Sequence, residues 1–481
     1  MIVGARHSLA SRLWTGISLV ALCGFFSFPS PALSRDLTLV QCLDLAVAHD
    51  PETQNAKEKV EIGKLKRSKA VQDFLPKVDL YATYGPQTDY FGRPVTSQNI
   101  FYSGIGMEQP LYKGGTLING VKLAESETRR QEFEYLFRKL AVASEAIKAY
   151  YQALTAQAVI QQYEALLKQG EEDLREANAR LEAGKTTRLE VLDLSVKLLE
   201  VQQKLSKAGA SHQVALSNLR KITGLKEEEP VSLIRQHPLL DIKTETSHLF
   251  SEAQVSRPDL KYSKEDLTYN QVRADIERGK RRPQLSVVAR YEWEDPTLLA
   301  GRKDWTVFLK ASVSFGNTTM SYTEQRNELY TNPYAFPTPP GFPGQTYAFP
   351  VRQWKYSIFD RSSNKVELEE ARAAMELSSN RWQQLQRQAY YDVKDSLAQK
   401  EDSEARAVTA EKQIAMADEM LKITRTKYGV GYATLADLFK AQATLAEARV
   451  NLATAQNDRQ VALGKLYQAL GRDLGFKESR S

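Results

Sequence analysis

The sequence predicts an α+β membrane protein made of two internal repeats, each with long helices and one hairpin of two short strands. The repeat is visible when residues 180–224 are laid on residues 427–471, because Gly184 then falls on Gly431 and the stretch matches without a gap. Four stretches of apolar/polar alternation predict the strands, and proline-free stretches of about 60 residues predict the helices. Neither half contains enough sheet to close into a domain alone.

The predicted boundaries follow from these patterns. Residues 1–34 form an export signal, residues 35–225 the first repeat, and residues 226–247 a linker between the repeats. Residues 248–472 form the second repeat, and residues 473–481 are a C-terminal tail.

The export signal is indicated by three features of the first residues. Two arginines precede an apolar run at residues 17–28, which is too short to span a bilayer, and small residues stand before a cleavage site after Ser34. Cys23 lies in the apolar run, so a lipoprotein signal is the alternative, although Leu22 is too large for the position before a lipidated cysteine.

Composition narrows the classes of function. The formal net charge of +6 is mild for a chain of 481 residues and does not indicate nucleic acid as a partner. After the signal no run of about 20 apolar residues remains and the mean hydropathy is negative, which excludes a helical membrane bundle. The mature chain keeps one cysteine, Cys42, and therefore forms no internal disulfide.

Two strand hairpins are predicted, at residues 75–111 and 284–315. In the first strand Val78 and Leu80 lie on one face, with Asp79 on the other. Each strand is about 10 residues long with aromatic residues near its ends, as in tilted membrane-spanning strands. A soluble sandwich is the alternative.

Four strands are too few to seal a barrel. An open sheet edge in lipid leaves backbone groups unpaired, at a cost of several kcal/mol each. We therefore expect the chain to complete its barrel in the lipid bilayer with strands from copies of itself.

The rest of each repeat is predicted to be helix. Residues 120–181 contain no proline and are rich in alanine, leucine, glutamate, lysine and glutamine, which predicts a helix of roughly 90 Å. The chain turns and returns over residues 189–219, and the second repeat does the same over residues 366–428 and 435–470. Apolar residues at helical spacing and many alanines are typical of coiled hairpins. A purely structural coiled coil is the alternative.

Several short motifs resemble those of the TolC-type outer-membrane efflux proteins, in the same order over essentially the whole mature chain. They comprise an opening helix that ends in Asp-Pro, a strand-to-helix handover, the start of the second repeat and the two glycine tips. The residues are 39–46 with Asp50 and Pro51, Leu75 and Pro76, 110–115, 257–260, Gly184 with Leu192, and Gly431 with Phe439.

The resemblance implies a homotrimer with a 12-stranded β-barrel, four strands per chain, continued by a long α-helical coiled-coil tube across the periplasm. It implies a passive conduit of a tripartite efflux or type I secretion system, in the outer membrane, without cofactor or enzymatic activity. A periplasmic adaptor protein and an inner-membrane pump would open the tips of the tube. A periplasmic adaptor-like or structural protein of the cell envelope is the alternative.

The resemblance also implies a gate at the tips. Tyr428 matches a tyrosine that reaches an acid on the neighbouring hairpin, and Glu190 matches that acid. Asp437 matches one aspartate of a ring that narrows the entrance, where three copies would favour cations. Lys440 replaces a second ring acid and would partly cancel that field. A structural surface acid is the alternative for Asp437.

The tips depart from the family pattern at a second point. Ala433 occupies the place of a latch arginine whose partner position is Leu189, so fewer polar links hold the closed state. The residues expected to contact the adaptor are Gly184, Lys185, Thr186, Gly431, Tyr432 and Ala433.

Residues 316–357 form an insertion that interrupts the motif at which the last strand of the second repeat leads into its long helix. Its densest part, residues 332–350, is rich in proline and aromatic residues and carries no charge, so it cannot be helix. We expect an extended belt packed where the barrel meets the tube, near the lipid headgroups. A disordered loop is the alternative.

Other motifs carry no chemistry. Residues 181–186 end like a phosphate-binding loop, but Ala179 stands where that loop needs glycine. The histidines show no metal-ligand spacing, and no nucleophile elbow is present. The basic cluster at residues 278–282 is expected to face solvent or headgroups, with a nucleic-acid patch as the alternative. No metal site, cofactor or enzymatic activity is predicted.

Overall fold

The computed structural model describes most of the chain. The described residues are 35–88, 94–234, 239, 242, 246–295, 302–315, 318–327, 350–358, 363–472 and 474. The predicted export signal and the lipidation alternative at Cys23 lie outside them. Among the helices of these ranges, none combines the length and the apolar character needed to cross a membrane.

Helices and strands follow each other in two halves. The helices are α1 (Leu39–His49), α2 (Pro51–Gln72), α3 (Thr116–Glu182), α4 (Arg188–Thr223), α5 (Thr246–Ser256), α6 (Pro258–Gly279), α7 (Ser363–Gly429) and α8 (Leu435–Leu470). The strands are β1 (Arg35–Leu37), β2 (Lys77–Thr88), β3 (Pro94–Lys113), β4 (Val231–Leu233), β5 (Gln284–Asp295), β6 (Arg302–Phe315), β7 (Thr318–Asn327) and β8 (Pro350–Ser357).

Each helix of the first half has a counterpart of equal length in the second. α1 and α5 have 11 residues, and α2 and α6 have 22. α3 and α7 have 67 residues, and α4 and α8 have 36. At 1.5 Å per residue the two longest helices are each about 100 Å long, far longer than a globular domain needs.

Local chemistry sets where the helices begin and end. Thr38 forms a capping box with Gln41 at the start of α1. At the start of α2 the carboxylate of Asp50 accepts from the backbone N–H of Thr53 at 2.7 Å. α4 ends at Thr223, and the φ of +71° at the following Gly224 lies in the left-handed region that closes many helices.

The four longest helices stand side by side. α3 packs against both α4 and α8, and α8 packs against α7, so the order across the protomer is α4, α3, α8, α7. The largest buried cluster lies where α1 and the end of α4 pack on the middle of α3, around Ile147, Tyr150, Leu43 and Leu219. α6 also packs against α7, and α1 packs against α4. Towards the tips, both α4 and α7 expose apolar side chains.

A small parallel sheet ties the predicted linker to residues 35–37. β1 and β4 pair with Arg35 opposite Val231 and Leu37 opposite Leu233. The hydroxyl of Tyr150 donates to the carbonyl of Leu37 at 3.1 Å, which fixes this sheet to α3. This sheet was not predicted, because strands of three residues are too short to show alternation.

The larger sheet has six strands, in the order β2-β3-β5-β6-β7-β8, and every neighbouring pair is antiparallel. β2, β3, β5 and β6 correspond to the predicted hairpins at 75–111 and 284–315. The prediction of four sheet strands per chain is wrong, because β7 and β8 extend the same sheet.

The additional strands come from the segment 316–357, which was expected to form a belt. Its proline-rich centre dominated the prediction, whereas its flanks alternate as strands do: Met320 and Tyr322 share one face of β7 and Ser321 lies on the other. β6 and β7 pair from Phe315 opposite Thr318 onward. Residues 328–349, which hold most of the prolines, lie outside the described residues.

A buried arginine at the start of α6 joins this helix to α7 and α8. Arg257 is 8% exposed, and its guanidinium donates to both oxygens of Asp259 at 3.0 and 2.7 Å and to Asp392 at 2.9 Å. It also lies 3.4 Å from the carbonyl of Ala469 in α8. Burial opposes the charge, but the hydrogen bonds to the two carboxylates outweigh it and raise the pKa of Arg257.

Replacing this arginine is expected to destabilise the protein strongly. Arg257→Met leaves Asp259 and Asp392 without their counter-charge, which costs about 3–5 kcal/mol when one partner of a buried pair is removed. The melting temperature of the helices in detergent, followed by circular dichroism, should fall. Arg278→Met is the control, because the Arg278–Asp275 pair is about half exposed and such pairs contribute about 0–1 kcal/mol. Equal melting temperatures for the two variants would contradict the assignment.

Candidate functional site

The two hairpin tips share one backbone geometry. Gly184 follows α3 with φ of +68°, and Gly431 follows α7 with φ of +81°. In both tips the N–H of the next residue donates to a carbonyl in the last turn of the helix at 2.8 Å. This closure requires a left-handed residue, which explains the glycines. A Cβ on either glycine would meet nothing within 4 Å, so their surroundings stay open.

Asp437 has a local role at the start of α8. Its Oδ2 accepts from the hydroxyl of Thr434 at 2.7 Å and from the backbone N–H of Thr434 at 3.0 Å. The backbone N–H of Asp437 donates to the Thr434 hydroxyl at 3.1 Å, which completes a capping box. The hydrogen bonds from the side chain and backbone of Thr434 lower the pKa of Asp437, so this exposed carboxylate is charged at neutral pH.

Two lysines surround this carboxylate. Lys440 lies one turn further along α8 and is exposed, and Lys197 lies on α4. After the hydrogen bonds from Thr434, both positive charges lower the pKa of Asp437 further. Lys197 is also 3.3 Å from Asp193 on its own helix. The surface near Asp437 therefore carries both signs of charge.

Within one protomer, Tyr428 and Glu190 have separate partners. The carboxylate of Glu190 accepts from the hydroxyl of Thr186 in the same tip. The guanidinium of Arg180 lies over the ring of Tyr428, 5.1 Å from its centroid, so this contact joins the end of α3 to the end of α7. Burial raises the pKa of Tyr428. The latch between Tyr428 and Glu190 would join neighbouring hairpins, and it stays a prediction.

The residues expected to contact an adaptor lie at the ends of the tips. Tyr432 is 85% exposed, and Val430 beside it is 64% exposed. Gly184, Lys185 and Gly431 are exposed, and Thr186 and Ala433 are half-buried. Leu189, the position opposite the missing latch arginine, is also exposed. The tips thus present apolar and aromatic surface at the far end of the helices.

A buried ring joins the two hairpins just behind the tips. Phe439 of α8 is 2% exposed and packs among Leu194 and Leu198 of α4 and neighbouring apolar residues. Gly170 of α3 lies under this ring. A Cβ on Gly170 would stand 2.4 Å from Cδ2 of Leu198 and 2.6 Å from Cε2 of Phe439. The glycine therefore makes the space that the ring occupies.

A polar contact lies one turn away from that ring. The side-chain amide of Gln442 on α8 donates to Oδ2 of Asp173 on α3 at 3.0 Å, and the amide of Gln169 donates to Oδ1 at 3.0 Å. Sequence reasoning missed this group together with Gly170, and it identified Phe439 only as part of a tip motif. The available signal was a glycine inside a long helix, which often marks close packing.

Within the described residues, no group of three or more histidine, cysteine, aspartate or glutamate side chains could hold a metal ion. Cys42, the one cysteine among them, is buried, and burial raises the pKa of its thiol to about 12.

Comparison with curated proteins gives a partial match. The alkaline protease secretion protein AprF of Pseudomonas aeruginosa is 24% identical over 194 residues. This match spans 40% of the chain and 40% of AprF. The chain therefore matches less than half the length of this curated relative.

Solved structures share the fold over nearly the whole chain. The CmeC outer membrane channel of Campylobacter jejuni has a TM-score of 0.70 at 16% identity, covering 92% of this chain and 87% of CmeC. VceC of Vibrio cholerae has a TM-score of 0.69 at 16% identity, covering 91% and 97%. The open state of the Neisseria gonorrhoeae MtrE channel has a TM-score of 0.69 at 17% identity, covering 91% and 90%.

These neighbours establish the architecture of a β-barrel continued by a long helical tube. The family described as "Outer membrane efflux protein" matches residues 42–225 and 342–472, which include both long helical hairpins and their tips. These two segments make up more than half of the sequence. The chain belongs to the outer membrane efflux protein family.

Proposed function

We propose that the chain assembles as a homotrimer and forms a passive outer-membrane channel for a tripartite efflux or type I secretion system. Residues 1–34 direct export, and residues 35–225 and 248–472 are the two repeats of the channel. AprF is by name a secretion protein, and CmeC and MtrE are by title outer membrane channels, which supports this class of function.

The observation that carries the proposal is a second apolar face on α4. One face, with Leu194 and Leu198, is buried in the protomer. The opposite face carries Leu192, Val196 and Leu199, which are each more than half exposed. A helix that is apolar on two opposite faces must be covered on both. No helix of the same protomer covers the second face in the described structure.

A second copy of the chain offers the matching surface. α7 stands at the other edge of the protomer and exposes Met416, Met420 and Ile423 at helical spacing. Both apolar stripes lie within about four turns of the tips. Contact between the α4 edge of one protomer and the α7 edge of the next is head-to-tail, and such contacts form a closed ring when the rotation between copies is a third of a turn.

Leu199→Glu is expected to weaken the trimer. It places a charge in the apolar stripe, where burying a leucine contributes about 1.5–3 kcal/mol in each of the contacts of the ring. The temperature at which the trimer dissociates in detergent gels should fall by many degrees. Glu200→Lys is the control, because Glu200 is an exposed acid beside the stripe. A trimer equally resistant in both variants would contradict the head-to-tail contact.

The tips are proposed as the periplasmic gate, with the three Asp437 carboxylates at the constriction. Because Asp437 also caps α8, an alanine variant would change both charge and helix start. Asp437→Asn keeps an acceptor oxygen for Thr434 and removes only the charge.

In planar bilayers, a divalent or trivalent cation added on the periplasmic side should block the channel. Asp437→Asn is expected to weaken this block about tenfold, equivalent to about 1.4 kcal/mol of cation binding. Lys440→Ala should strengthen the block, because it removes the opposing charge one turn away. Unchanged block in both variants would leave Asp437 as a capping residue alone.

Adaptor and pump partners are proposed from the same geometry. The exposed tips, with Tyr432 and Val430, form an apolar end surface that faces away from the sheet. A periplasmic adaptor that packs helical hairpins against this surface would bury it and displace the contacts that hold the tips together. A passive tube of this kind requires no catalytic residue or cofactor.

A further inference from the structure

We propose that β7 and β8 are part of the channel wall, so that each protomer contributes six strands and the barrel has 18 strands rather than 12. The seam between protomers is then formed by β8 of one copy and β2 of the next. This proposal rests on the homotrimer of the proposed function and adds the composition of its barrel.

The pairing of β6 excludes the smaller barrel. β6 pairs with β7 along ten residues, from Thr306 opposite Asn327 to Phe315 opposite Thr318. Its backbone groups on that side are therefore occupied, and β6 has no free edge to offer to another protomer. The free edges of the described sheet belong to β2 and β8.

The connection between the sheet and the long helices also supports six strands per protomer. In the first half β3 ends at Lys113 and α3 begins at Thr116, so this strand leads directly into the long helix. In the second half the strand that leads into the long helix is β8, which ends at Ser357 before α7 begins at Ser363. β8 holds the position of β3, and it is joined to the sheet only through β7.

The side chains of the third hairpin continue the pattern of the wall. Met320 lies opposite Val313 and Tyr356, in the row of outward apolar residues. One row along, Tyr322 lies opposite Trp354, with ring centroids 4.6 Å apart. Apolar and aromatic residues on the outer face are what a lipid-facing strand requires.

The inner face of the same hairpin is polar. Its described residues are Thr319, Ser321 and Thr323 on β7 and Gln353, Lys355 and Ser357 on β8. Towards the outer end of the hairpin Glu324 and Arg352 face each other on the outward side, 3.8 Å apart. The flexible Arg352 side chain can extend from there to the headgroups. The hairpin thus has a lipid face, a lumen face and a polar outer end.

The stagger of the sheet fits a closed barrel. The hydrogen-bonded row that starts at Lys77, the first residue of β2, reaches Val351 in β8. β8 continues to Ser357, so the periplasmic end of the sheet shifts by about 20 Å along the strands. Over five strand spacings, about 24 Å, this shift corresponds to a tilt of about 40°, the value of membrane barrels.

The sense of the strands also allows closure. With six strands that alternate in direction, β2 and β8 run in opposite directions, so β8 can pair antiparallel with β2 of a neighbour. Three protomers then leave no edge in the lipid, as the bilayer requires. Because barrel diameter grows roughly in proportion to strand number, the lumen is about half again as wide as in a 12-stranded barrel.

Cysteine pairs across the two alternative seams test the proposal. In a Cys42→Ala background, Trp354→Cys or Tyr356→Cys on β8 is combined with Val78→Cys or Leu80→Cys on β2. All four positions face outward near the periplasmic end of their strands. Oxidation in outer membranes should produce disulfide-linked dimers and trimers, which a reductant converts back to monomers on denaturing gels.

In the matched control, the first cysteine is placed on β6 instead of β8. Leu309→Cys or Ala311→Cys, combined with the same β2 positions, should give no covalent oligomer, because two strands lie between. Crosslinks from β6 but not from β8, or none from either seam in an intact trimer, would overturn the 18-stranded barrel and leave the channel function standing. Purified chains that light scattering shows to be monomers would overturn both.

Discussion

Gly114→Ala is expected to prevent assembly of the channel, whereas Gly115→Ala, one position along, is expected only to weaken it. Gly114 and Gly115 both adopt positive φ, +62° and +87°, where β3 passes into α3. An alanine in this left-handed region costs roughly 1–2 kcal/mol, and both variants share that penalty. The difference between them lies in what a side chain would meet.

A Cβ on Gly114 would stand 2.1 Å from the backbone oxygen of Gly279 and 3.0 Å from Cβ of Arg282. Gly279 is the last residue of α6, so its carbonyl cannot move without moving the start of β5. A Cβ on Gly115 would meet only the flexible guanidinium of Arg282, at 3.8 Å. The first clash demands a shift of the backbone, and the second contact does not.

The measurement is the amount of heat-modifiable trimer in outer membranes, followed on gels. Gly114→Ala should reduce it to background, and Gly115→Ala should leave trimers that dissociate at a somewhat lower temperature. Equal amounts of trimer in the two variants would show that positive φ alone, and not the contact with Gly279, determines the effect. Gly279→Ala gives a second check, since its Cβ would lie 2.9 Å from the oxygen of Gly114.

This contact explains how a sheet and a helical tube are joined without a loop. In the first half, β3 leads into α3 through Gly114 and Gly115. In the second half, α6 leads into β5 through a short segment that lies beside these two glycines. The two backbones touch because neither Gly114 nor Gly279 has a side chain. The wall and the tube are thereby fixed to each other at the position where the chain changes secondary structure.

The helices could be predicted closely because their causes are local. Proline-free runs rich in alanine, leucine and glutamate set α3 and α7, and their ends differ from prediction by only a few residues at Gly115 and at the tip glycines. The strands β2, β3, β5 and β6 were signalled by strict alternation. In β7 and β8 the same alternation was present, but it flanked a proline-rich centre whose composition dominated the prediction.

The turns at the tips were predicted because they depend on local sequence, and the contacts behind the tips were missed because they depend on packing. The tip glycines Gly184 and Gly431 were found because the chain must turn there. The cap formed by Asp437 with Thr434 is also local and was available from the spacing. The contact of Gly170 with Phe439 requires knowing that α3 and α8 are neighbours and at what register, which no periodicity within one helix reveals.

Gly170→Ala is expected to loosen the tips and raise the resting conductance of the channel. Its Cβ would stand 2.4 Å from Leu198 and 2.6 Å from Phe439, closer than real Cβ contacts, so the ring must move out of its place between the hairpins. Overpacking of this kind costs about 1–3 kcal/mol. In planar bilayers the fraction of time in open states should increase several-fold, and cells should become permeable to antibiotics that the closed channel excludes.

Two further substitutions, Phe439→Leu and Gly120→Ala, show whether the effect of Gly170→Ala comes from its contact with the ring or from a general change in α3. In Gly170→Ala combined with Phe439→Leu the smaller side chain leaves room for the added methyl, so most of the resting closure should return. Phe439→Leu alone should leave a small cavity and open the tips slightly. Gly120→Ala lies on the same helix with nothing within 4 Å, so it should stabilise α3 by up to about 1 kcal/mol and leave conductance unchanged. If the double variant leaks as much as Gly170→Ala, the ring does not hold the two hairpins together, and the closed state depends on contacts between protomers.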